Sequence, residues 1–299
     1  FTTTALSFKT AINDRFDLAL VLDQPIGADV DYKAGTGYLY GGSTASLDSS
    51  AVTVMGRYKL NGGFSVFGGL RAQSVEGKVA LFSGYSLDTS RETDFGYLVG
   101  MAYEKPEIAL RVALTYNSSI THDFAASEAD PLNGPASTSF KTEVPQSLNL
   151  EFQTGIAKDT LLFGSVRWVD WTAFDISPVN YVGLYTDPLV SYHDDTITYN
   201  VGVGRRFNDT WSAAITLGYE PSVGGFAGNL GPTDGFTSIG LAGTYTRGRM
   251  KITGGVRYAM IGDAKTKTPA VLPYPPGTTF GKFKDNHALG FGLKVGYSF

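Results

Sequence analysis

Segments in which apolar and polar residues alternate recur along the whole chain. The last of them places a row of apolar and aromatic residues on one face: Leu289, Phe291, Leu293, Val295, Tyr297 and Phe299. A repeat of two residues is the period of a β-strand with one apolar face, whereas an amphipathic helix repeats about every 3.6 residues. The pattern therefore predicts an all-β fold.

The composition favours strands but fits either a soluble protein or a membrane protein. The chain has 37 glycines, 17 tyrosines, 19 phenylalanines and no cysteine, which favours strands and excludes disulfides and thiolate metal sites. No apolar run approaches the roughly 20 residues of a membrane-spanning helix. The mean hydropathy of -0.04 fits a soluble β-protein and also a transmembrane β-barrel, in which lipid-facing and lumen-facing residues alternate.

The connections between segments distinguish these two environments. Short polar turns fall at residues 13–15, 61–63, 105–107, 157–159, 208–209 and 247–249. Long connections lie between them, near residues 28–46, 74–91, 118–143, 173–195, 222–236 and 262–286. Outer-membrane barrels have short periplasmic turns and long extracellular loops. The alternation predicts one antiparallel transmembrane β-barrel domain over residues 1–299.

The strand count has a consequence for closure. The segments number about thirteen, whereas bacterial single-chain barrels have an even number of strands. The first and last strands would both run towards the periplasm and could not pair antiparallel. We therefore expect a natural protein of fourteen strands, with one strand preceding Phe1 and missing from this chain.

One strand breaks its own pattern at residues 21–30. Phe16, Leu18 and Leu20 share one face of the strand, the other face includes Asp17 and Asp23, and then Pro25 and Gly27 follow. Proline cannot donate to a strand ladder and glycine weakens a strand, so the pair marks either a bend within the strand or the start of a surface loop. Alternation resumes in the residues "ADVDY" after Gly27, which favours the bend.

Several stretches in order resemble the family of long-chain fatty acid and monoaromatic hydrocarbon transporters of the outer membrane (FadL-like). They are "ALSFKTAINDRFDLALVLDQPIGADVDY", "VPQSLNLEFQTGIAKDTLLFGSVRWVDWTAF", "YNVGVGRRFNDTWSAAITLGYEPS" and "LGFGLKVGYSF". The resemblance implies a fourteen-stranded barrel that is plugged by an N-terminal hatch, and we expect that hatch to be missing from this chain. It also implies passive transport of hydrophobic small molecules, without a cofactor, in the outer membrane of a Gram-negative bacterium.

The resemblance assigns a role to the broken strand. In the family, a kink in the third strand opens a lateral exit into the membrane, and here that strand carries Pro25, Ile26 and Gly27. We therefore expect a lateral gate at these residues. Tyr297 and Phe299 resemble the C-terminal signal of the outer-membrane assembly machinery, and outer-membrane lipid and lipopolysaccharide are expected partners of a monomer.

Three further sets of residues are candidates for functional roles. Polar-face residues predicted to line the lumen, more often as an internal ion-pair lattice than as carboxylate ligands, are Asp17, Arg57, Arg71, Arg111, Glu151, Arg167, Arg206 and Arg257. The most apolar long loop offers a capture patch, or packs on neighbouring loops, through Val179, Tyr181, Val182, Leu184 and Tyr185. Trp168, Trp171 and Phe174 are predicted to anchor the barrel at the membrane interface.

Other functions have weaker support. The net charge is −4, and lysine and arginine are scattered singly, so nucleic acid is not an expected partner. The sequence "YHDD" at residues 192–195 could form an acid-base pair, but histidines beside aspartates in loops are usually solvated, and we expect neither an enzyme nor a metal site. The alternative from another class is a general diffusion porin or a structural or adhesive barrel.

Overall fold

The computed structural model describes residues 2–269, 275 and 277–299. The strands are β1 (Leu6–Ala11), β2 (Phe16–Asp23), β3 (Ala28–Asp31), β4 (Thr44–Lys59), β5 (Phe64–Ala80), β6 (Ser86–Thr89), β7 (Glu92–Lys105), β8 (Leu110–Asn117), β9 (Ile120–Asp130), β10 (Gly134–Val144), β11 (Ser147–Ala157), β12 (Thr160–Val169), β13 (Asp175–Ile176), β14 (Val190–Ser191), β15 (Thr196–Arg206), β16 (Trp211–Glu220), β17 (Phe236–Arg247), β18 (Met250–Ile261), β19 (Ala264–Lys267), β20 (Thr279–Phe283) and β21 (His287–Tyr297). Within the described residues, one α-helix, α1 (Val179–Tyr185), and three short 3-10 turns complete the elements.

Thirteen strands form the antiparallel wall of the barrel. In order of pairing, these wall strands are β1, β2, β4, β5, β7, β8, β11, β12, β15, β16, β17, β18 and β21. The predicted barrel class and the count of about thirteen strands in this chain are therefore confirmed, and the fourteenth strand stays a prediction. In the described residues no ladder joins β1 to β21, but the rings of Phe8 and Phe299 stack at 5.4 Å across this seam.

The alternation of each wall strand separates an outer from an inner face. On β7, Phe95 is 76% exposed and Met101 is 58% exposed, whereas Leu98 and Ala102 on the other face are buried. The outward residues are apolar because in an outer-membrane barrel they contact lipid. No helix in the described part of the chain is long and apolar enough to cross a membrane.

The long connections fold into a compact layer at one end of the barrel. Residues 118–143, predicted as a loop, instead form the hairpin of β9 and β10, which pairs with β6 beyond the wall. Every second residue of β9 is buried there, from Ile120 to Asp130. The buried apolar core of the protein lies in this layer and includes Val75, Leu87, Phe124, Phe140, Tyr181, Leu189 and Leu230.

Candidate functional site

The strand predicted to bend is interrupted at residues 24–27 and then resumes. Asp23 at the end of β2 faces Ala51 of β4, and Ala28 at the start of β3 faces Leu47. Residues 24–27 therefore lie opposite only residues 48–50 of β4. One extra residue on one strand of an antiparallel pair is a β-bulge. The continuous 16-residue β4 holds both halves in one sheet, so Pro25 and Gly27 interrupt a strand and do not begin a loop.

The side chain of Ser49 replaces the missing ladder at the interruption. The backbone N–H of Ile26 donates to Oγ of Ser49 at 3.1 Å, and the hydroxyl of Ser49 donates to the carbonyl oxygen of Ile26. Ser49 is only 7% exposed. On the other side of the strand, the pairing of β2 with β1 ends at Leu22, and β3 has no strand partner but β4 among the described residues.

An apolar cavity of about 130 Å³ lies directly behind the interruption. Ile26 lines it at the interruption itself, and the outer ends of β3, β4 and β5 and the β9–β10 hairpin form most of its walls. Its apolar lining includes Val30, Leu47, Val75, Val79, Leu87, Phe124, Phe140, Ile176, Leu189 and Leu230. Sequence reasoning missed this cavity, because β9 and β10 were predicted as loop.

Three aromatic residues form a cluster at one side of the cavity. The ring of Trp171 lies 5.0 Å from that of Tyr192 and 5.7 Å from that of Phe174. Phe174 and Tyr192 line the cavity, and Phe174 is 5% exposed. The prediction of an interface anchor is therefore wrong for Phe174, because its ring packs inward. Trp168 keeps an outer-face position beside Leu148 and Ile197, and its Nε1 donates to Asp195 at 3.1 Å.

Two polar side chains interrupt the apolar lining of the cavity. His122 of β9 and Thr142 of β10 face each other in register, and both are buried. Nδ1 of His122 lies 3.0 Å from Oδ2 of Asp94, in a contact too angled to count as a hydrogen bond. The β9–β10 hairpin lies outside the wall strands, and burial there lowers the pKa of His122, although Asp94 and Glu92 oppose the shift.

The predicted capture loop forms α1 and packs against the layer. Tyr181 is 5% exposed and contacts Tyr85 edge to face, with 5.0 Å between ring centroids. The hydroxyl of Tyr185 donates to Oγ of Ser83 at 2.9 Å. Of the five predicted capture residues, Val179 is the exposed one, at 55%. The loop therefore belongs to the packed layer, which is the alternative that the sequence left open.

A buried carboxylate holds the first turn of α1. Glu128 of β9 is 1% exposed and accepts hydrogen bonds from the backbone N–H groups of Asn180 and Tyr181 at 3.1 and 3.0 Å. It also accepts from the hydroxyls of Tyr85 at 2.8 Å and Thr138 at 2.5 Å. Four donors therefore satisfy a carboxylate that links the hairpin to the helix.

The predicted lumen arginines are held by partners other than those expected. Glu104 bridges two of them, accepting from Arg57 Nη2 at 2.6 Å and from Arg111 Nε at 3.2 Å. Arg71 Nε donates to Oγ1 of Thr53 at 3.0 Å, and Arg206 pairs with Asp159 at a short turn. Sequence reasoning missed Glu104 and Asp159 as partners, because it did not predict which strands are adjacent.

The remaining lumen candidates are dispersed along the wall. Asp17 is buried and pairs with Lys59 at 2.8 Å and Lys9 at 3.5 Å, so the predicted arginine partners are wrong for this carboxylate. Arg257 donates to Oγ of Ser238 at 2.8 Å and lies over the ring of Phe236. Glu151 and Arg167 are exposed on adjacent strands β11 and β12.

The residues weighed for catalysis do not assemble into a site in the described structure. His193 and Asp194 are exposed, and Asp195 accepts hydrogen bonds from Trp168 and the backbone of Thr172. Among the described residues no cluster of three or more histidine, aspartate or glutamate side chains could hold a metal ion. Tyr297 and Phe299 are 65% and 73% exposed at the end of the wall.

The sequence as a whole carries a family signature. A family model described as "Outer membrane protein transport protein (OMPP1/FadL/TodX)" matches residues 3–299. The chain belongs to this family. Its members are outer-membrane barrels of Gram-negative bacteria that transport hydrophobic compounds, so the predicted family, location and transporter class are confirmed. A comparison with curated protein sequences finds no match.

Solved structures share the fold at low sequence identity. A FadL homologue from Pseudomonas aeruginosa is 16% identical with a TM-score of 0.77, over 98% of this chain and 77% of that one. The toluene transporter TodX of Pseudomonas putida is 11% identical with a TM-score of 0.64, over 99% and 82% of the two chains. The toluene transporter TbuX of Ralstonia pickettii is 13% identical with a TM-score of 0.64, over 86% and 75%.

Proposed function

We propose that this barrel takes up compact, ring-sized hydrophobic molecules and releases them sideways into the outer membrane past residues 24–27. The observation that carries the proposal is that Ile26, within the interruption, lines the apolar cavity. A ligand in the cavity therefore contacts the place where the wall ladder is broken. The capture end of the route is the layer of long connections, which faces the outside of the cell in barrels of this kind.

The volume of the cavity bears on the size of the ligand. An engineered apolar cavity of about 150 Å³ in another protein stays dry and holds one benzene molecule. A cavity of about 130 Å³ therefore matches a single aromatic ring and not a long acyl chain. The named toluene transporters among the structural relatives are consistent with this size class.

The energetics of the route suit passive movement. Each CH₂ group that leaves water gains about 0.8 kcal/mol on burial. The membrane interior is an equally apolar destination, so release into lipid costs little once the ligand has left water. A transporter of this kind works down a gradient with a shallow site and with no cofactor or energy source.

Uptake by cells tests the lateral route. The double variant Pro25→Val/Gly27→Val should restore strand propensity across residues 24–27 and lower the initial rate of radiolabelled toluene uptake about tenfold, to near that of cells without the protein. The control Pro135→Val changes a proline that is exposed on β10. Uptake at the rate of the unmodified protein by a folded double variant would contradict lateral release.

A binding measurement tests the cavity independently of the route. Titration of the purified protein in detergent with toluene should saturate, and the double variant should keep that binding. A long-chain fatty acid that displaces toluene and binds more tightly would contradict the ring-sized ligand class.

A further inference from the structure

His122 and Thr142 present two unused hydrogen-bonding atoms to the same apolar cavity. The side chain of His122 is 0% exposed and that of Thr142 is 6% exposed, and both residues line the cavity. Among the described residues, neither Nε2 of His122 nor Oγ1 of Thr142 has a hydrogen-bond partner. A buried polar atom without a partner is destabilising and uncommon in folded proteins, so the pair favours a ligand that supplies the missing hydrogen bonds.

The neighbourhood of His122 decides which hydrogen bond it can make. Oδ2 of Asp94 lies 3.0 Å from Nδ1, and although the contact is not a hydrogen bond, the negative charge at that distance favours the tautomer that carries its proton on Nδ1. Nε2 of the neutral ring is then an acceptor. The ring is held in place on its other side by Phe124, whose centroid lies 5.8 Å away at an interplanar angle of 25°.

Thr142 supplies the complementary donor. Residues directly opposite each other on one face of an antiparallel pair have Cβ atoms about 4.5–5.5 Å apart. His122 and Thr142 are such a pair, so one ligand atom can lie within reach of both side chains. The hydroxyl of Thr142 can donate to that atom while Nε2 of His122 accepts from it.

A hydroxyl group can donate one hydrogen bond and accept another, so it complements a site in which an acceptor lies beside a donor. We infer that the cavity recognises a ring-sized apolar molecule that carries one hydroxyl group, as a phenol does, and that His122 and Thr142 determine this specificity. The inference rests on the proposed function of the cavity and names the ligand class within it.

Other oxygen groups fit the pair less well. A carbonyl oxygen accepts from Thr142 but leaves Nε2 of His122 without a donor. A carboxylate has the same defect and also brings a second negative charge towards Asp94 within an apolar wall. A hydrocarbon leaves both polar atoms without partners, as they are in the structure.

Phenol and toluene test the inference directly, because they differ by a hydroxyl in place of a methyl group. We would titrate each into the purified protein in detergent by calorimetry, for the unmodified chain, Thr142→Val and His122→Phe. Thr142→Val removes the hydroxyl and His122→Phe removes both ring nitrogens, and each keeps a side chain of similar shape. The matched control Thr121→Val makes the same change one residue away, at an exposed position on the opposite face of β9.

The expected result is a selective loss of phenol binding. Each variant should weaken phenol binding about tenfold, which is the effect of leaving one ligand hydrogen bond unmade. Toluene binding should stay the same or become tighter, and Thr121→Val should change neither ligand. Heat-modified migration in gel electrophoresis would confirm that each barrel is folded.

Two results would overturn the inference and can be distinguished from failure of the proposed function. Phenol affinity that is unchanged in the folded Thr142→Val variant, or equal losses for phenol and toluene in both variants, would exclude a hydroxyl-specific pair while leaving the cavity as a binding site. If the unmodified protein binds neither phenol nor toluene, the proposed function fails, and the inference fails with it.

Discussion

The backbone of Ile26 and the side chain of Ser49 form a reciprocal pair across the interrupted strand. The N–H of Ile26 donates to Oγ of Ser49 at 3.1 Å, and that hydroxyl donates to the Ile26 carbonyl oxygen. One side chain thus satisfies both backbone groups of a residue that has left the ladder. Because Ile26 also lines the cavity, Ser49 fixes the position of a residue that contacts the proposed ligand.

Ser49→Ala should loosen the interruption without unfolding the barrel. The change leaves the N–H and C=O of Ile26 without partners, at a cost of about 1–3 kcal/mol. Hydrogen exchange at the amides of residues 24–27 should become about tenfold faster or more. Ser50→Ala on the exposed face of β4 is the control, and equal exchange in the two variants would show that Ser49 does not hold the strand.

Phe140→Ala should enlarge the cavity and change the ligand size that it accepts. Phe140 is 8% exposed, lines the cavity and packs against Phe124 at 5.6 Å between centroids. Loss of the ring should cost about 3–5 kcal/mol of stability. Competition against toluene should show that naphthalene binds the variant more tightly than it binds the unmodified protein.

The control for this change is a phenylalanine on the lipid face. Phe95 is 76% exposed on β7, so Phe95→Ala should leave both ligand affinities unchanged. If naphthalene gains nothing in Phe140→Ala, the ligand does not occupy the cavity beside Phe140.

The wall of the barrel could be predicted from the sequence because its signal is local. The lipid-facing side of a residue such as Phe95 follows from the alternation of its own strand, and the polar turns at residues 61–63 and 247–249 indicate where the chain reverses direction. The interruption at Pro25 could also be predicted from the local sequence, because proline has no backbone N–H to donate to a strand ladder.

The cavity could not be predicted because it depends on contacts between distant segments. Ile26, Phe140 and Leu230 meet only after three long connections fold together. Phe174 belongs to a Trp-rich segment typical of a membrane interface, but the 3-10 turn at Trp171–Ala173 turns its ring inward. The sequence of β9 carries a short alternation, with Ile120, Phe124 and Ala126 on one face, but the length of the connection favoured a loop.

Glu128→Gln should release α1 from the hairpin. The carboxylate accepts from four donors, whereas the neutral amide has one oxygen to accept with, so the charge-assisted bonds to Tyr85 and to the helix backbone are lost or weakened. We expect a local destabilisation of about 1–3 kcal/mol and faster hydrogen exchange at residues 180–185. Glu107→Gln, at an exposed short turn, is the control, and unchanged protection of α1 in Glu128→Gln would contradict the capping role.

Acidification should open the β9–β10 hairpin through His122. Burial lowers the pKa of this imidazole, and the carboxylates that face it, Asp94 and Glu92, oppose the shift only in part. The unfolded hairpin then binds the proton more readily than the folded one, so stability rises with pH. The contribution is complete above the unfolded value of about 6.5 and is lost as the pH falls towards the lower folded value.

Hydrogen exchange corrected for its intrinsic pH dependence measures this effect. Protection of residues 120–130 should fall between pH 7.5 and pH 5 in the unmodified protein. It should stay constant in His122→Phe, which keeps an aromatic ring against Phe124 but cannot take a proton. Thr121→Val should retain the full pH dependence, because it leaves the imidazole and its two carboxylates in place. The same loss of protection in His122→Phe would assign the effect to another group, because the hairpin would then open without an imidazole to protonate.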